Sequence, residues 1–227
     1  RGGLRGGPEP DSPEYPQFLA SMIGEMASTL HKNTLVLFTS NAMMQSVYSL
    51  LKSSPVLKGF TVLAQNLSGN RHVLLDQMKQ AQKTILLGTD SFWEGIDAPG
   101  EACEIVIISR IPFTVPTHPI TMAIAEKYKK VDGESFFSYA VPEAVIKFRQ
   151  GAGRLIRTAA DRGALIVTDG RILTKGYGKR FIGSLPGPFH SFGSVQEMIT
   201  EVGHFFKAGP EAGQESAISY VPFEEAS

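Results

Sequence analysis

The sequence predicts an α/β fold built on one parallel β-sheet with helices on both faces. Three observations predict it. Short uninterrupted apolar runs recur, as at Leu35 to Phe38 and Ile105 to Ile108, and a strand reads this way when both of its faces are buried. Between them lie segments whose apolar residues return every three or four positions, the helical period. The two kinds alternate, which is the pattern of βαβ units.

The elements follow in order. Residues 1–15 hold four Gly and three Pro with almost nothing to bury, so a flexible lead-in is expected there. Phe18, Leu19, Met22, Ile23, Met26 and Leu30 lie at helical spacing and predict a helix over 16–30. The run Thr34 to Thr39 predicts the first strand. A helix over 41–51 follows, with Ser40 or Asn41 as its cap. Strands are expected at 60–64, 84–87, 104–108 and 163–168, and helices at 71–82, 117–131, 142–157 and 195–206. The polar, Gly- and Glu-rich stretch 209–227 reads as a loose tail, leaving 16–208 as the folded domain.

At 227 residues, with 42% hydrophobic and 19% charged, the chain suits one sizeable domain with a full core. Formal net charge is zero, but the charge is unevenly spread. Nine basic residues between Lys147 and Arg180 face only Asp161 and Asp169. Such an excess suits an anionic partner; a solvated helix face would give the same run. One cysteine, Cys103, excludes a disulfide framework within the chain and a cysteine-ligated cluster built by this chain alone. Set beside Ile105 to Ile108, it reads as a small buried hydrophobe. No histidines pair at metal-ligand spacing, and no metal site is expected. No apolar run reaches the length of a membrane span and no signal peptide is visible, so a cytoplasmic protein is the expectation.

Ligands of such sheets gather at the carboxyl ends of the strands, so the loops after Phe38, Leu87, Ile108 and Val167 carry the chemistry. Three segments stand out. In Gln150-Gly-Ala-Gly-Arg154-Leu-Ile-Arg157 two arginines three apart share a helical face. The glycines ahead of them admit a close backbone or phosphate. Arginine forks grip phosphate oxygens and stay charged, as phosphoryl transfer requires. An amphipathic helix with ordinary surface arginines is the plainer reading. Gly88-Thr-Asp-Ser91-Phe-Trp93-Glu-Gly95-Ile-Asp97 leaves a buried strand with hydroxyls and three carboxylates. Thr89 and Ser91 can bond phosphate or sugar, and Glu94 and Asp97 can bond ribose or orient arginines; a capped turn explains the same residues. Trp93 reads as packing rather than base-stacking. Phe38-Thr39-Ser40-Asn41 can hold an anion at a helix N-terminus or be a routine cap.

Together and in this order the three resemble a known family. Phe38 to Ser40 resembles helicase motif IV. Gly88 to Asp97 resembles motif V in the form typical of the DinG/XPD branch of superfamily-2 helicases. Gln150 to Arg157 resembles motif VI. Ile111-Pro-Phe113, Thr168-Asp-Gly-Arg171, Tyr177-Gly-Lys-Arg-Phe181 and Leu185-Pro186 extend the match, which covers about residues 34–188 and looks like the bacterial DinG branch in particular.

The resemblance implies a RecA-like domain, the second of two that clamp ATP between them. It implies that Arg157 and Arg154 reach the γ-phosphate, with Arg157 as the arginine finger, and that Gln150 couples the nucleotide to the companion domain. Glu94, Gly95, Asp97 and Gly153 would line the nucleotide cleft. Thr39, Ser40, Asn41, Thr89, Ser91 and Arg110 would lie on a single-stranded DNA track, positioning the strand rather than reading its sequence. The chain departs from a complete motor. It has no G-x-x-x-x-G-K-[ST] run and no Asp-Glu pair, so it lacks its own Walker A and B. Gly176 to Arg180 is a false lookalike, with Leu173 and Arg180 at required positions. In the family those elements, the Mg²⁺ ligands and any iron-sulfur cluster belong to the first domain or its insertions. The expectation is the C-terminal half of a 5′-to-3′ ATP-dependent DNA helicase, partnered by an N-terminal RecA-like domain and single-stranded DNA, monomeric by family default and inactive alone. The alternatives are the helicase-like domain of a DinG-type 3′–5′ exonuclease and a non-enzymatic DNA-binding module.

Overall fold

The computed structural model describes residues 7–93, 103–114, 136–153, 163–185, 187–208 and 217–220. In chain order these form α1 (Tyr15–Leu30), β1 (Thr34–Leu37), α2 (Asn41–Lys52), β2 (Thr61–Ala64), α3 (Arg71–Gln80), β3 (Thr84–Gly88), α4 (Asp90–Trp93), β4 (Ile105–Ile108), α5 (Val141–Ala152), β5 (Ala164–Val167), α6 (Arg171–Thr174), α7 (Gly178–Ile182), β6 (Phe189–Ser191), α8 (Val195–Lys207) and β7 (Ala217–Tyr220). A 3₁₀ turn over Pro55–Leu57 precedes β2, and a π-helical turn over Phe136–Ala140 leads into α5.

The seven strands make one sheet in the order β2-β3-β1-β4-β5-β7-β6, and every neighbouring pair is parallel. Period-two alternation divides their side chains between two cores. Val36, Phe38, Ile85, Leu87, Ile105 and Ile107 face α1, α2 and α8. Leu35, Leu37, Leu86, Val106 and Ile108 pack with residues of α3, α4, α5 and α7 on the other face. Burial on both faces is why β1, β3, β4 and β5 are apolar at nearly every position.

All five strands expected from the sequence are present to within two residues at each end. The helices expected at 16–30, 41–51, 71–82 and 195–206 form, and Ser40 is the cap of α2, its hydroxyl accepting from the Met43 amide. Most of the helix expected over 142–157 forms as α5, while 154–157 and the helix expected over 117–131 lie outside the described residues. Two expectations need correction. Residues 217–220, assigned to a loose tail, form β7 between β5 and β6. The run Ala-Ile-Ser-Tyr is short but carries two good strand formers, and it pairs backbone groups that would otherwise leave β5 as an edge. Residues 7–14, assigned to a flexible lead-in, contain a turn closed by the Ser12 amide on the Glu9 carbonyl at 2.8 Å. The turn is anchored by Tyr15, whose buried hydroxyl donates to the Ser109 carbonyl and lies 2.9 Å from Thr168 Oγ1.

Asn33 ties the amino ends of the strands together. Its side-chain oxygen accepts from the Thr84 amide at 2.9 Å, and its amide nitrogen donates to the carbonyls of Met78 (3.4 Å) and Ala81 (3.2 Å). Its own carbonyl takes the amides of Glu104 and Ile105. One buried amide thus registers β1, β3 and β4. With the amino edge fixed, the carboxyl ends are free to differ, and the site lies there.

Candidate functional site

Three sequence segments distant in the chain meet on one indole. Trp93 closes α4 and is fully buried; its Nε1 donates to the Phe38 carbonyl at 3.0 Å. On its other side it meets Gly151 of α5. A Cβ at Gly151 would stand 2.8 Å from two ring carbons of Trp93 and 3.0 Å from Leu37 Cδ1. Gly151 therefore admits an aromatic ring, not the backbone or phosphate that its sequence suggested. The Lys147 ammonium lies 5.9 Å from the same ring. Trp93 packs, as its sequence context indicated, and the packing fixes where the end of α5 points.

Beside it, at the carboxyl ends of β1, β2 and β3, is a polar cluster. Gln65 Oε1 accepts from the Thr89 amide at 2.8 Å and lies 3.1 Å from the Thr89 hydroxyl, which is 3.2 Å from Asn41 Oδ1. The hydroxyl has one proton to give. Thr89 is 3% exposed, so any influence it has on a ligand passes through Gln65 and Asn41. Gln65 escaped the sequence reading. The signal was available: it directly follows β2, at the same edge as the loops that were singled out.

A cleft of about 300 Å³ opens on the far side of β1, lined by Thr39, Ser40, Ala42, Met43 and Ser46, by Ser109 and Arg110 after β4, and by Pro10, Asp11, Tyr15 and Pro16. Its walls carry hydroxyls and one arginine. Arg110 Nη2 reaches both oxygens of Asp11, at 2.8 and 2.9 Å.

The next loops along the same edge are locked by a buried ion pair. Asp169, 0% exposed, accepts from Arg171 Nε (2.8 Å) and Nη2 (2.6 Å), and from the amides of Ile111 (2.8 Å) and Arg171 (3.1 Å). Four donors on one carboxylate make the pair well satisfied despite its burial. The hydrogen bond to Asp169 drives the Arg171 guanidinium further above its already high range, with burial opposing. Burial pushes the neighbouring Tyr177 phenol up, while Arg171 pulls it back. Phe113, Tyr177 and Phe181 pack edge to face beside this pair. Gly178 opens α7 where any Cβ would fall on the Ile172 carbonyl, a packing role that fits its rejection as a phosphate-loop glycine.

The structure thus gathers Thr39, Ser40, Asn41, Thr89 and Arg110 along one edge. Ser91 lies in α4. Gln150 is exposed in the last turn of α5, and Gly153 caps that helix with its amide on the Arg149 carbonyl at 2.8 Å. Glu94, Gly95, Asp97, Arg154 and Arg157 lie outside the described residues. Among the described residues, no group of His, Cys, Asp or Glu is placed to hold a metal ion, Cys103 is buried beside Ile105, and no helix is long and apolar enough to cross a membrane.

A parallel sheet with this motif-bearing carboxyl edge defines a class, and the comparisons agree. Residues 23–187 match the family described as helicase C-terminal domain. The chain belongs to that family, and within superfamily 2 it is a domain of the DinG/XPD type with a RecA-like fold. It is 42% identical over 198 residues to the 3′-5′ exonuclease DinG of Bacillus subtilis, covering 87% of this chain and 21% of that protein. It is 36% identical over 183 residues to the ATP-dependent DNA helicase YoaA of Escherichia coli, covering 81% and 28%. Against the ATP-dependent DNA helicase DinG of Photobacterium profundum it is 38% identical, covering 78% and 26%. The chain therefore spans between a fifth and three tenths of the length of these relatives. The fold is also that of the solved S. tokodaii Xpd4, with a TM-score of 0.55 at 18% identity over 80% of this chain and 36% of that one.

Proposed function

We propose that the chain is the C-terminal motor domain of a DNA helicase that runs on ATP and moves 5′ to 3′. The observation that carries this reading is the meeting of Phe38, Trp93 and Gly151, one residue from each helicase motif, at a single buried indole. A nucleotide signal at one motif then has a rigid route to the strand-facing edge of another. Arg157, helped by Arg154, is assigned to the γ-phosphate; Gln150 links that site to the companion domain; Glu94, Gly95, Asp97 and Gly153 border the nucleotide. Thr39, Ser40, Asn41, Ser91 and Arg110 form this domain's share of the strand track, with Thr89 acting on it through Gln65 and Asn41. Mg²⁺ would arrive with ATP, its protein ligands belonging to the N-terminal domain.

The chemistry asked of these residues is electrostatic. Charge builds on the phosphoryl oxygens in the transition state, and a preplaced guanidinium stabilises it. The test uses full-length protein. Single-stranded DNA should stimulate ATP hydrolysis, and Arg157→Ala should lower that rate by roughly 10³-fold or more. The 227-residue chain alone should give no hydrolysis above a no-protein control. Hydrolysis by the isolated chain, or a full-length enzyme indifferent to DNA, would overturn the motor reading.

A second reading has a specific support: the Bacillus subtilis relative is named as a 3′-5′ exonuclease. In that reading the nuclease lies in another part of the protein and ATP regulates it through this domain. DNA degradation by full-length protein that is modulated by ATP, with no strand unwinding, selects it.

A further inference from the structure

The cleft beside β1 has a wall that none of the motifs explains. Residues 9–12 turn back over the carboxyl ends of β1 and β4 and set Asp11 on Arg110. The contact is a carboxylate with both oxygens on one guanidinium nitrogen, at a cleft bordered by Thr39, Ser40 and Ser109. Two oxygens of a phosphodiester would take the same donors. The pair is also poorly sheltered: the Asp11 side chain is 72% exposed and that of Arg110 32%. An exposed ion pair is weak and readily exchanged. Its support is not weak, because the base of the turn is held by the buried Tyr15 phenol on Ser109 and Thr168.

We infer that Asp11 holds the place of a strand phosphate at Arg110, so that a phosphodiester of single-stranded DNA enters the cleft by displacing the Asp11 carboxylate. The inference rests on the proposed strand track and adds a competitor built into the chain. The fixed base of the turn keeps the carboxylate within reach of Arg110, so it returns when the strand leaves. A competing carboxylate weakens the net hold of Arg110 on the phosphate and so favours its release.

The test measures binding of a fluorescein-labelled oligothymidylate to full-length protein by anisotropy at several salt concentrations. Asp11→Asn should tighten binding about two- to fivefold, the range that loss of one exposed ion pair allows. Asp11→Ser serves as a second uncharged variant, and thermal melts check that each remains folded. Arg110→Ala should weaken binding and lower the slope of log K against log salt by about 0.7, the value for one single-strand phosphate contact. The Asp11→Asn, Arg110→Ala double variant should match Arg110→Ala alone. ATP affinity should not respond to Asp11→Asn, which separates a strand phosphate from a nucleotide phosphate.

If Arg110→Ala weakens binding while both Asp11 variants bind as wild type does, the competitor is refuted and the strand track stands. If Asp11→Asn tightens binding even without Arg110, the effect is general charge and the inference fails. If Arg110→Ala changes neither affinity nor salt slope, the strand does not enter this cleft and both readings fall.

Discussion

The indole of Trp93 occupies the space that a side chain at Gly151 would need, the two approaching to 2.8 Å at the position of an absent Cβ. The ring is held from its other edge by the Phe38 carbonyl, so it cannot retreat without losing a buried hydrogen bond. Gly151→Ala should therefore destabilise the domain by about 1–3 kcal/mol, the cost of overpacking. Pairing it with Trp93→Phe should give less than the sum of the single effects, because the smaller ring makes room. Chemical denaturation of the four proteins measures the coupling; strict additivity would mean that the two do not press on each other.

Removing the charge of Asp169 should be more damaging than its exposed neighbours suggest. Asp169→Asn keeps an oxygen for the Ile111 amide but leaves Arg171, only 19% exposed, without its counter-ion. A loss of about 3 kcal/mol is expected. Asp169→Ala should lose more, since the Ile111 amide then also lacks its acceptor. Equal stability of the Asn variant and wild type would show that the ion pair is dispensable.

Asn33 should behave as a structural residue with no part in ligand binding. Asn33→Ala strands the buried Thr84 amide, at about 1–3 kcal/mol, and lowers the melting temperature by some 2–4 °C per kcal/mol. Strand affinity of the folded variant should be unchanged; a change would place the amino edge of the sheet in the binding machinery.

Gln65 is expected to do both. Gln65→Leu removes the acceptor shared by the amide and hydroxyl of Thr89 and should cost about 1–3 kcal/mol in stability. Oligothymidylate affinity at a temperature where the variant is folded should fall as well, because the Thr89 loop is no longer held. Gln65→Glu keeps the acceptor oxygens and should be the milder change in stability. If the Leu variant is destabilised yet binds as wild type does, Gln65 is a structural residue only.

Much of this was legible in the sequence. The five strands β1 to β5 announced themselves because each is buried on both faces, and unbroken apolar runs such as Ile105 to Ile108 have no other economical use. Helices α1, α2, α3 and α8 showed their period, and α2 its cap. The strands β6 and β7 did not. Phe189-His-Ser191 is nearly all exposed, and Ala217 to Tyr220 sits in a stretch whose composition is that of a tail. Neither run is apolar enough to specify a strand; β7 depends on the edge that β5 offers, and β6 on the edge of β7. The short helices α4, α6 and α7 are too brief to show a period at all.

At the site, the sequence determined the set of chemical groups: hydroxyls at 39, 40 and 89, the arginine at 110, and the glycine-arginine segment from 150 to 157. It also placed the hydroxyls and Arg110 just after strands, because the strand and helix periods that locate those ends are local properties of the chain. Tertiary structure alone decided which groups meet. It gave Gly151 to Trp93, turned Thr89 inward onto Gln65, and set Asp11 on Arg110. These pairs are separated by between 24 and 99 positions in the chain, and no local pattern encodes a contact across such a distance. The order of strands in the sheet brings them together, and that order is fixed by packing on both faces and by pairing at the edges.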